Sequence, residues 1–387
     1  MRVGDHEMPG VADVVVVGGG LVGLATAYHL VREGRRVALV DRGDRGRATD
    51  AGAGILSPAV SGRGEAVAAF AEAAAAYYPQ LADALRAEEA GETGYAAAPL
   101  LFVAADDTDL EAFTALKETL TRPAGRPSGR AQPAEVSPGH ARSLMPLLGP
   151  VAAALLVPDA ARVDGRLLSG ALRRAAERRG LAVRVGSVER LLVEGGRVRG
   201  VMVDGERLAA DQVVAAGGAW SRALGEPLGL TLPVEPQRGQ IVHLRPPEST
   251  AGWAMVMAMD DHYLVPWPDG RVAAGATRET GSGFDPRPTA RGVQQVLSAA
   301  LRLAPALARA EWLEVRVGLR PLCADGLPVI GAVPGVEGAF VATGHGPAGL
   351  LLGPYTGKVV AEVMLGRSPE VDLTPFRPDR FASAGRS

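Results

Sequence analysis

A single cysteine, Cys323, is the scarcest resource of this 387-residue chain. One thiol builds neither a disulfide framework nor a cysteine-based metal cluster, and it fits a reducing, cytoplasmic setting with no metal site. There is no CxxC pair to act as a dithiol relay. Charge of one sign is missing as well: 41 basic residues face 43 acidic ones, and the sequence pI is about 6.3. Without a basic field, nucleic acid and anionic membrane surfaces are not expected partners. Long apolar runs are also lacking. The Ala-rich stretch from Ala66 to Leu85 comes nearest to the roughly 20 residues of a membrane span. Glu72, Gln80 and Asp83 interrupt it, so it reads as a helix of a soluble protein. The opening MRVGDHEMPG holds no apolar core of signal-peptide length. Lysine is rare while Ala, Gly, Arg and Pro abound, the composition of a GC-rich bacterial genome, to which no function attaches.

What is present starts with length. A chain of this size exceeds one simple core, so two domains, or one large domain with an insertion, are expected. Near the N-terminus, Ala12 to Val17 is a β-branched run without polar alternation, the pattern of a parallel strand buried on both faces. Gly18, Gly20 and Gly23 then match G-x-G-x-x-G. Helical spacing follows from Leu21 to Glu33, and a second strand from Arg36 to Val40 ends at Asp41. This is the β-α-β dinucleotide fingerprint with its acid in register. Gly18 serves the tight turn, Gly20 the close approach of a pyrophosphate, and Gly23 the packing of helix on sheet. The N–H groups of the helix start, at Leu21 and Val22, face the phosphates. Asp41 accepts from ribose hydroxyls and repels a 2′-phosphate, which argues against NADP.

Three further stretches favour FAD over NAD. Residues 47–58, RATDAGAGILSP, form a loop of small residues whose bare backbone suits an extended cofactor. Residues 211–221 contain a buried strand, Gln212 to Ala216, that ends in Gly217-Gly218. Near the C-terminus a strand from Ala339 to Thr343, a turn from Gly344 to Ala348 and a helix from Gly349 to Leu365 repeat the strand–turn–helix theme. A helix start aimed at an isoalloxazine stabilises the negative charge that builds on reduction. Other segments read more plainly. Leu232 to Leu244 is strand-like, and residues 261–277 form a hairpin around Asp269-Gly270. Residues 165–180 form an amphipathic helix with a solvated arginine face. Leu116 to Ala141 is Pro/Gly/Ser-rich and reads as a surface loop.

With AGAGIL, VVAAGGAWS, HYLVP, GLRP and GHGPAG in this order, the chain resembles the D-amino-acid oxidase superfamily. The likeness is to its glycine oxidase and D-amino-acid dehydrogenase branch, from Asp13 to about Phe381. The resemblance implies an α/β protein: a Rossmann-like FAD-binding domain plus a substrate domain on a mixed or antiparallel sheet. It implies FAD segments at 1–85, 150–225 and 318–387, and substrate segments at 86–149 and 226–317. Cofactor contacts are then expected from Gly18, Gly20, Leu21, Val22, Gly23, Asp41 and Arg42. Ala48, Thr49, Ala53, Gly54, Ile55, Val188 and Gly217 join them. The last group is His345, Gly346, Pro347, Ala348, Gly349, Leu350 and Leu351.

Only one complete fingerprint is present, so a small substrate, not NAD(P)H, is expected to reduce the flavin. The resemblance implies that Arg320 clamps its carboxylate through paired hydrogen bonds, that Tyr263 reaches the same group, and that His345 lies beside the flavin. His262 is expected to support or be solvated. Pro347 stands where the glycine oxidase pattern has a second arginine, so that loop offers no two-arginine clamp and glycine is expected to be a poor substrate. Cys323 follows the Arg-Pro pair instead of preceding it, a register that favours non-covalent FAD. The expected reaction is oxidation of a small amine or amino acid, with oxygen or another acceptor taking the electrons. Two rivals stay open: a 2-hydroxy-acid oxidoreductase with His345 as base, and a non-catalytic FAD-carrying subunit. A homo-oligomer is left open.

Overall fold

The computed structural model describes residues 11–60, 65–122 and 131–385. The opening ten residues, read as lacking a signal-peptide core, lie outside them, as do 123–130 of the Pro/Gly-rich stretch. The β-branched run forms the strand Val11–Val17. Val14 and Val16 enter one hydrophobic cluster, and Val15 and Val17 the opposite one. Successive strand side chains point to opposite faces, so burial on both sides needs an unbroken apolar run. The helix Leu21–Arg32 then returns the chain to a parallel neighbour, Val37–Asp41.

Around this unit the first sheet has the spatial order Ala182–Val185, Val37–Asp41, Val11–Val17, Glu206–Ala215, Ala339–Thr343, Val329–Ala332. All neighbours are parallel except the last pair. The strand expected from Gln212 begins six residues earlier, at Glu206. Its first half pairs antiparallel with Arg197–Val203 and is partly exposed, so it carries no continuous apolar signal. The helices Leu21–Arg32, Glu65–Ala87, Gly165–Arg178 and Gly349–Met364 share one core against this sheet. Asp164 starts Gly165–Arg178 by accepting from Arg166 N and Leu167 N at 2.9 and 3.2 Å.

The second sheet has nine strands. Glu311–Cys323, Val234–Arg245, Val272–Gly275, Tyr263–Pro266, Met255–Ala258, Leu100–Ala104, Ala153–Val157 and Ala134–Val136 follow in space, and Glu279–Thr280 joins the start of Val234–Arg245. Met255–Ala258 and Leu100–Ala104 are parallel; the other pairs are antiparallel. The expected α/β class with a mixed second sheet is the observed one. The 261–277 hairpin pairs Tyr263–Pro266 with Val272–Gly275 around Asp269-Gly270.

Three expectations need adjusting. Ala153–Val157 was placed with the cofactor segments, yet it pairs with Leu100–Ala104 in the second sheet. Glu311–Cys323 likewise begins there, before residue 318. We propose the discontinuous division with these strands reassigned; a short apolar run carries no local mark of which sheet it joins. Leu116 to Ala141 is not all loop either. Its start ends the helix Leu110–Thr121, and its end holds Ala134–Val136 and part of Pro138–Leu144. Ser137 caps that helix by accepting from His140 N at 3.1 Å, and Pro138 occupies the first helical position, where its missing N–H costs nothing. Residues 47–58 also carry order: a helical turn, Ala48–Ala51, and Ile55–Leu56, paired with Ala161–Arg162.

Candidate active site

One cavity of about 1300 Å³ opens at the carboxyl edge of the parallel sheet and runs under the second sheet, where open α/β sheets bind ligands. Every expected cofactor residue except Gly23 lines it. Gly23 packs instead, as its place in the fingerprint implies: a Cβ there would lie 2.0 Å from Gly18 O. Gly18 has φ +110, and a Cβ on it would lie 2.4 Å from Ala216 O. Gly20 has nothing nearer to a Cβ position than Thr49 Oγ1 at 3.7 Å, so its face opens on the cavity. The first helix has glycine, Gly20, at its cap and no acid in its first turn, and Leu21 N donates to Thr49 Oγ1 at 3.1 Å. The remaining N–H groups of that turn and its partial positive charge fit a pyrophosphate. Asp41 is held at the strand end by Gly19 N at 2.5 Å, Gly43 N at 2.7 Å and Arg47 Nη1 at 3.4 Å. The His345–Leu351 turn brings a second uncapped helix start to the same cavity. These residues fit an extended FAD: the first turn would take the pyrophosphate, Asp41 the ribose, and the second helix start the ring.

At the far end, Arg320 and Tyr263 come from strands that are not neighbours. Arg320 lies on Glu311–Cys323 and Tyr263 on Tyr263–Pro266, with Val234–Arg245 and Val272–Gly275 between them. They meet because the intervening strands carry glycine where their side chains cross. A Cβ at Gly239 would lie 2.4 Å from the Arg320 guanidinium nitrogens, and one at Gly275 would lie 2.5 Å from the Tyr263 hydroxyl. Arg320 Nη1 donates to Thr277 O at 3.0 Å, and the guanidinium lies against the Tyr263 hydroxyl. Among the described residues no carboxylate pairs with Arg320. Burial lowers its pKa, and burial raises that of Tyr263, which keeps the phenol protonated as a donor. A partly buried cation without an opposite charge is costly, and a bound carboxylate would remove that cost.

His345 lines the cavity, but its Nε2 meets Thr356 Oγ1 at 3.0 Å. That hydroxyl donates to Leu352 O at 3.0 Å, so Nε2 carries the proton. Burial pushes the ring pKa down to about 4. Cys323 is buried, and burial, then the charge of Asp325, pushes its thiol up to about 11. His262 is partly buried in the turn before Tyr263 and is no cavity liner.

The sequence reading missed five contributors. Arg47 pairs with Asp41 and with Asp50. Trp220 stacks on Phe284 at 5.5 Å, with Arg42 above it at 5.7 Å. Arg278 and Asp261 form a 3.0 Å ion pair, and both line the cavity. Arg47, Trp220 and Asp261 stood inside stretches already singled out, without a mark of their own, and Phe284 and Arg278 lay outside them.

A dinucleotide cleft on a β-α-β sheet, roofed by a second sheet that holds a partly buried arginine, defines an FAD-dependent oxidoreductase. The family model "DAO: FAD dependent oxidoreductase" matches residues 13–363, and the chain belongs to that family. It is 38% identical to the uncharacterized oxidoreductase YurR of Bacillus subtilis, over 94% of this chain and 98% of the relative. It is 34% identical to a glycine oxidase of Pseudomonas putida, over 95% and 98%. The crystal structure of iminodiacetate oxidase from Chelativorans sp. BNC1 superposes with a TM-score of 0.88 at 37% identity, covering 94% of this chain and 98% of that one. Among the described residues, no helix is long and apolar enough to cross a membrane.

Proposed function

We propose that the protein oxidises a small amine bearing a carboxylate: a D-amino acid, glycine or an N-alkyl amino acid. The observation that carries this reading is Arg320, partly buried beside a protonated Tyr263 and, among the described residues, in no ion pair with a carboxylate. Glycine oxidase and iminodiacetate oxidase, the names of two relatives, both denote enzymes of carboxylated amines. Bound FAD supplies a two-electron acceptor: the α-carbon gives up hydrogen with its electron pair, the nitrogen loses a proton, and the imine hydrolyses to an oxo acid and ammonia or an amine.

The chain's own residues position the substrate. Arg320 takes the carboxylate through two parallel hydrogen bonds and Tyr263 adds a third donor. Ile55, Ile241 and Met257 supply apolar wall beside them, which limits water and strengthens the charged contacts. Fixing the carboxylate in this way converts binding into orientation, an effect on the order of several kcal/mol. The 2-hydroxy-acid alternative needs a base, and His345, neutral with its Nε2 bonded to Thr356, is a weak one. A subunit that merely carried FAD would have no use for an unpaired, partly buried arginine. The protonated Cys323 thiol supports non-covalent FAD.

Anaerobic mixing with D-amino acids, N-methyl amino acids and 2-hydroxy acids tests this. Bleaching of the flavin band by amines is expected, and acid precipitation should free all the flavin. Bleaching by hydroxy acids alone would overturn the reading. Reoxidation by oxygen, a quinone or a dye then identifies the acceptor.

A further inference from the structure

We propose that Arg278 selects substrates that carry a second carboxylate, with Asp261 as its counter-ion when no such group is bound. The inference rests on the amine-oxidising function and names its substrate class. Thr277, the residue before Arg278, gives its carbonyl to Arg320 Nη1 at 3.0 Å. Arg278 therefore leaves the backbone one residue beyond the carboxylate anchor. It lines the same cavity, and its charge acts on both Tyr263 and Arg320. Asp261 enters the cavity two residues ahead of Tyr263. It sits at a turn closed by Asp261 N to Ala258 O at 3.1 Å and Ala258 N to His262 O at 2.8 Å. Its φ of 67 is one that aspartate and asparagine tolerate better than most residues.

The two arginines differ in what holds them. Arg320 is partly buried and, among the described residues, forms no ion pair with a carboxylate; Arg278 and Asp261 are 47% and 57% exposed and bonded to each other at 3.0 Å. An ion pair this open contributes little, so Arg278 exchanges Asp261 for another carboxylate at small cost while Asp261 turns to water. Arg238, by contrast, is 11% exposed and held by Glu279 at 2.6 Å and Asp285 at 3.2 Å, and it does not line the cavity. The partly buried anchor thus takes the carboxylate on the carbon being oxidised. Arg278 takes one at the solvent-facing end of the N-substituent or side chain. An amine with a single carboxylate leaves the Arg278–Asp261 pair intact and gains nothing from it. The histidine turn, Gly344–Gly349, holds no arginine, and Arg278 supplies a second cation from the side of the second sheet.

The test uses the FAD-loaded protein with iminodiacetate, sarcosine and N-(2-aminoethyl)glycine as reductants. Diglycolate and methoxyacetate, which lack the amine, serve as ligands read by flavin difference spectra. Wild type should favour iminodiacetate over sarcosine in kcat/KM and diglycolate over methoxyacetate in Kd. Arg278→Ala should shrink both ratios at least 10-fold, and Asp261→Asn should raise them several-fold. Flavin content and melting temperature show whether each variant is folded. Ratios within 2-fold of wild type in both variants, or a preference for the aminoethyl arm, would overturn the proposal. If no amine reduces the flavin yet diglycolate binding depends on Arg278, the amine-oxidising function fails and the second-carboxylate site stands.

Discussion

Arg320 concentrates the site's chemistry in one side chain. Its charge is partly buried, it donates to the Thr277 carbonyl at 3.0 Å, and the Tyr263 hydroxyl lies against it. Arg320→Ala should therefore cost about 2–5 kcal/mol of carboxylate recognition, read as a loss of kcat/KM on the order of 10²- to 10³-fold. Tyr263→Phe removes a single donor to a charged acceptor and should cost less, about 1.5–3 kcal/mol. FAD content should stay at the wild-type level in both, because neither residue belongs to the pyrophosphate turn. Loss of flavin from Arg320→Ala would show that the arginine supports the cofactor and not the substrate. Both residues were legible in the sequence only through the family motifs around them. Arg278 and Asp261 were not, since no local pattern marks a pair that forms across a cavity.

Elements decide whether those side chains meet. Four strands separate into two that carry function, with Arg320 and Tyr263, and two that make room, with Gly239 and Gly275. Gly239→Ala places a Cβ 2.4 Å from the guanidinium nitrogens, the far end of a flexible side chain. The fold should survive while Arg320 moves. A displacement of that kind is expected to lower kcat/KM on the order of 10²-fold, with FAD binding and melting temperature nearly unchanged. Unaltered kinetics for a carboxylated amine would count against the crossing of Arg320 over that strand. In the sequence these glycines look like weak points of two strands, and their use appears only once register is known: Gln237 faces Arg320, and Gly275 faces Tyr263. The first turn differs, because strand, glycines, helix and Asp41 follow one another in the chain and were read with ends correct to a residue or so.

At the scale of the whole molecule, burial of histidine links stability to pH. Burial pushes His29 and His243 down to about 3 and His345 down to about 4. Each value lies below that of the unfolded chain, near 6.5, so the unfolded state takes up the protons first. Stability is whole above about 6.5 and falls as pH drops toward the folded values, by about 1.4 kcal/mol per pH unit for each histidine. Melting temperature should be flat from pH 7 to 8 and decline steadily from 6.5 to 4.5, with uptake of about three protons on unfolding near pH 5 by calorimetry in two buffers. A melting temperature constant across that lower window would show that the three rings are not held neutral. The two sheets are also joined at this scale: Arg271, beside the hairpin turn, donates to Asp164 at 2.6 Å, and Asp164 starts a helix on the first sheet.

By itself the sequence determined the dinucleotide turn, the helix starts that face it and the choice of FAD. The turn lies within about 30 positions, and the stretches that favour FAD, though far apart in the chain, are each legible locally, where spacing and backbone freedom are enough. Only the tertiary structure decided which sheet takes Ala153–Val157, how Arg320 and Tyr263 reach each other, and that Arg278 stands beside them with an exchangeable partner. Strand pairing joins residues far apart in the chain, and whether a charge is encased or open depends on every element packed around it.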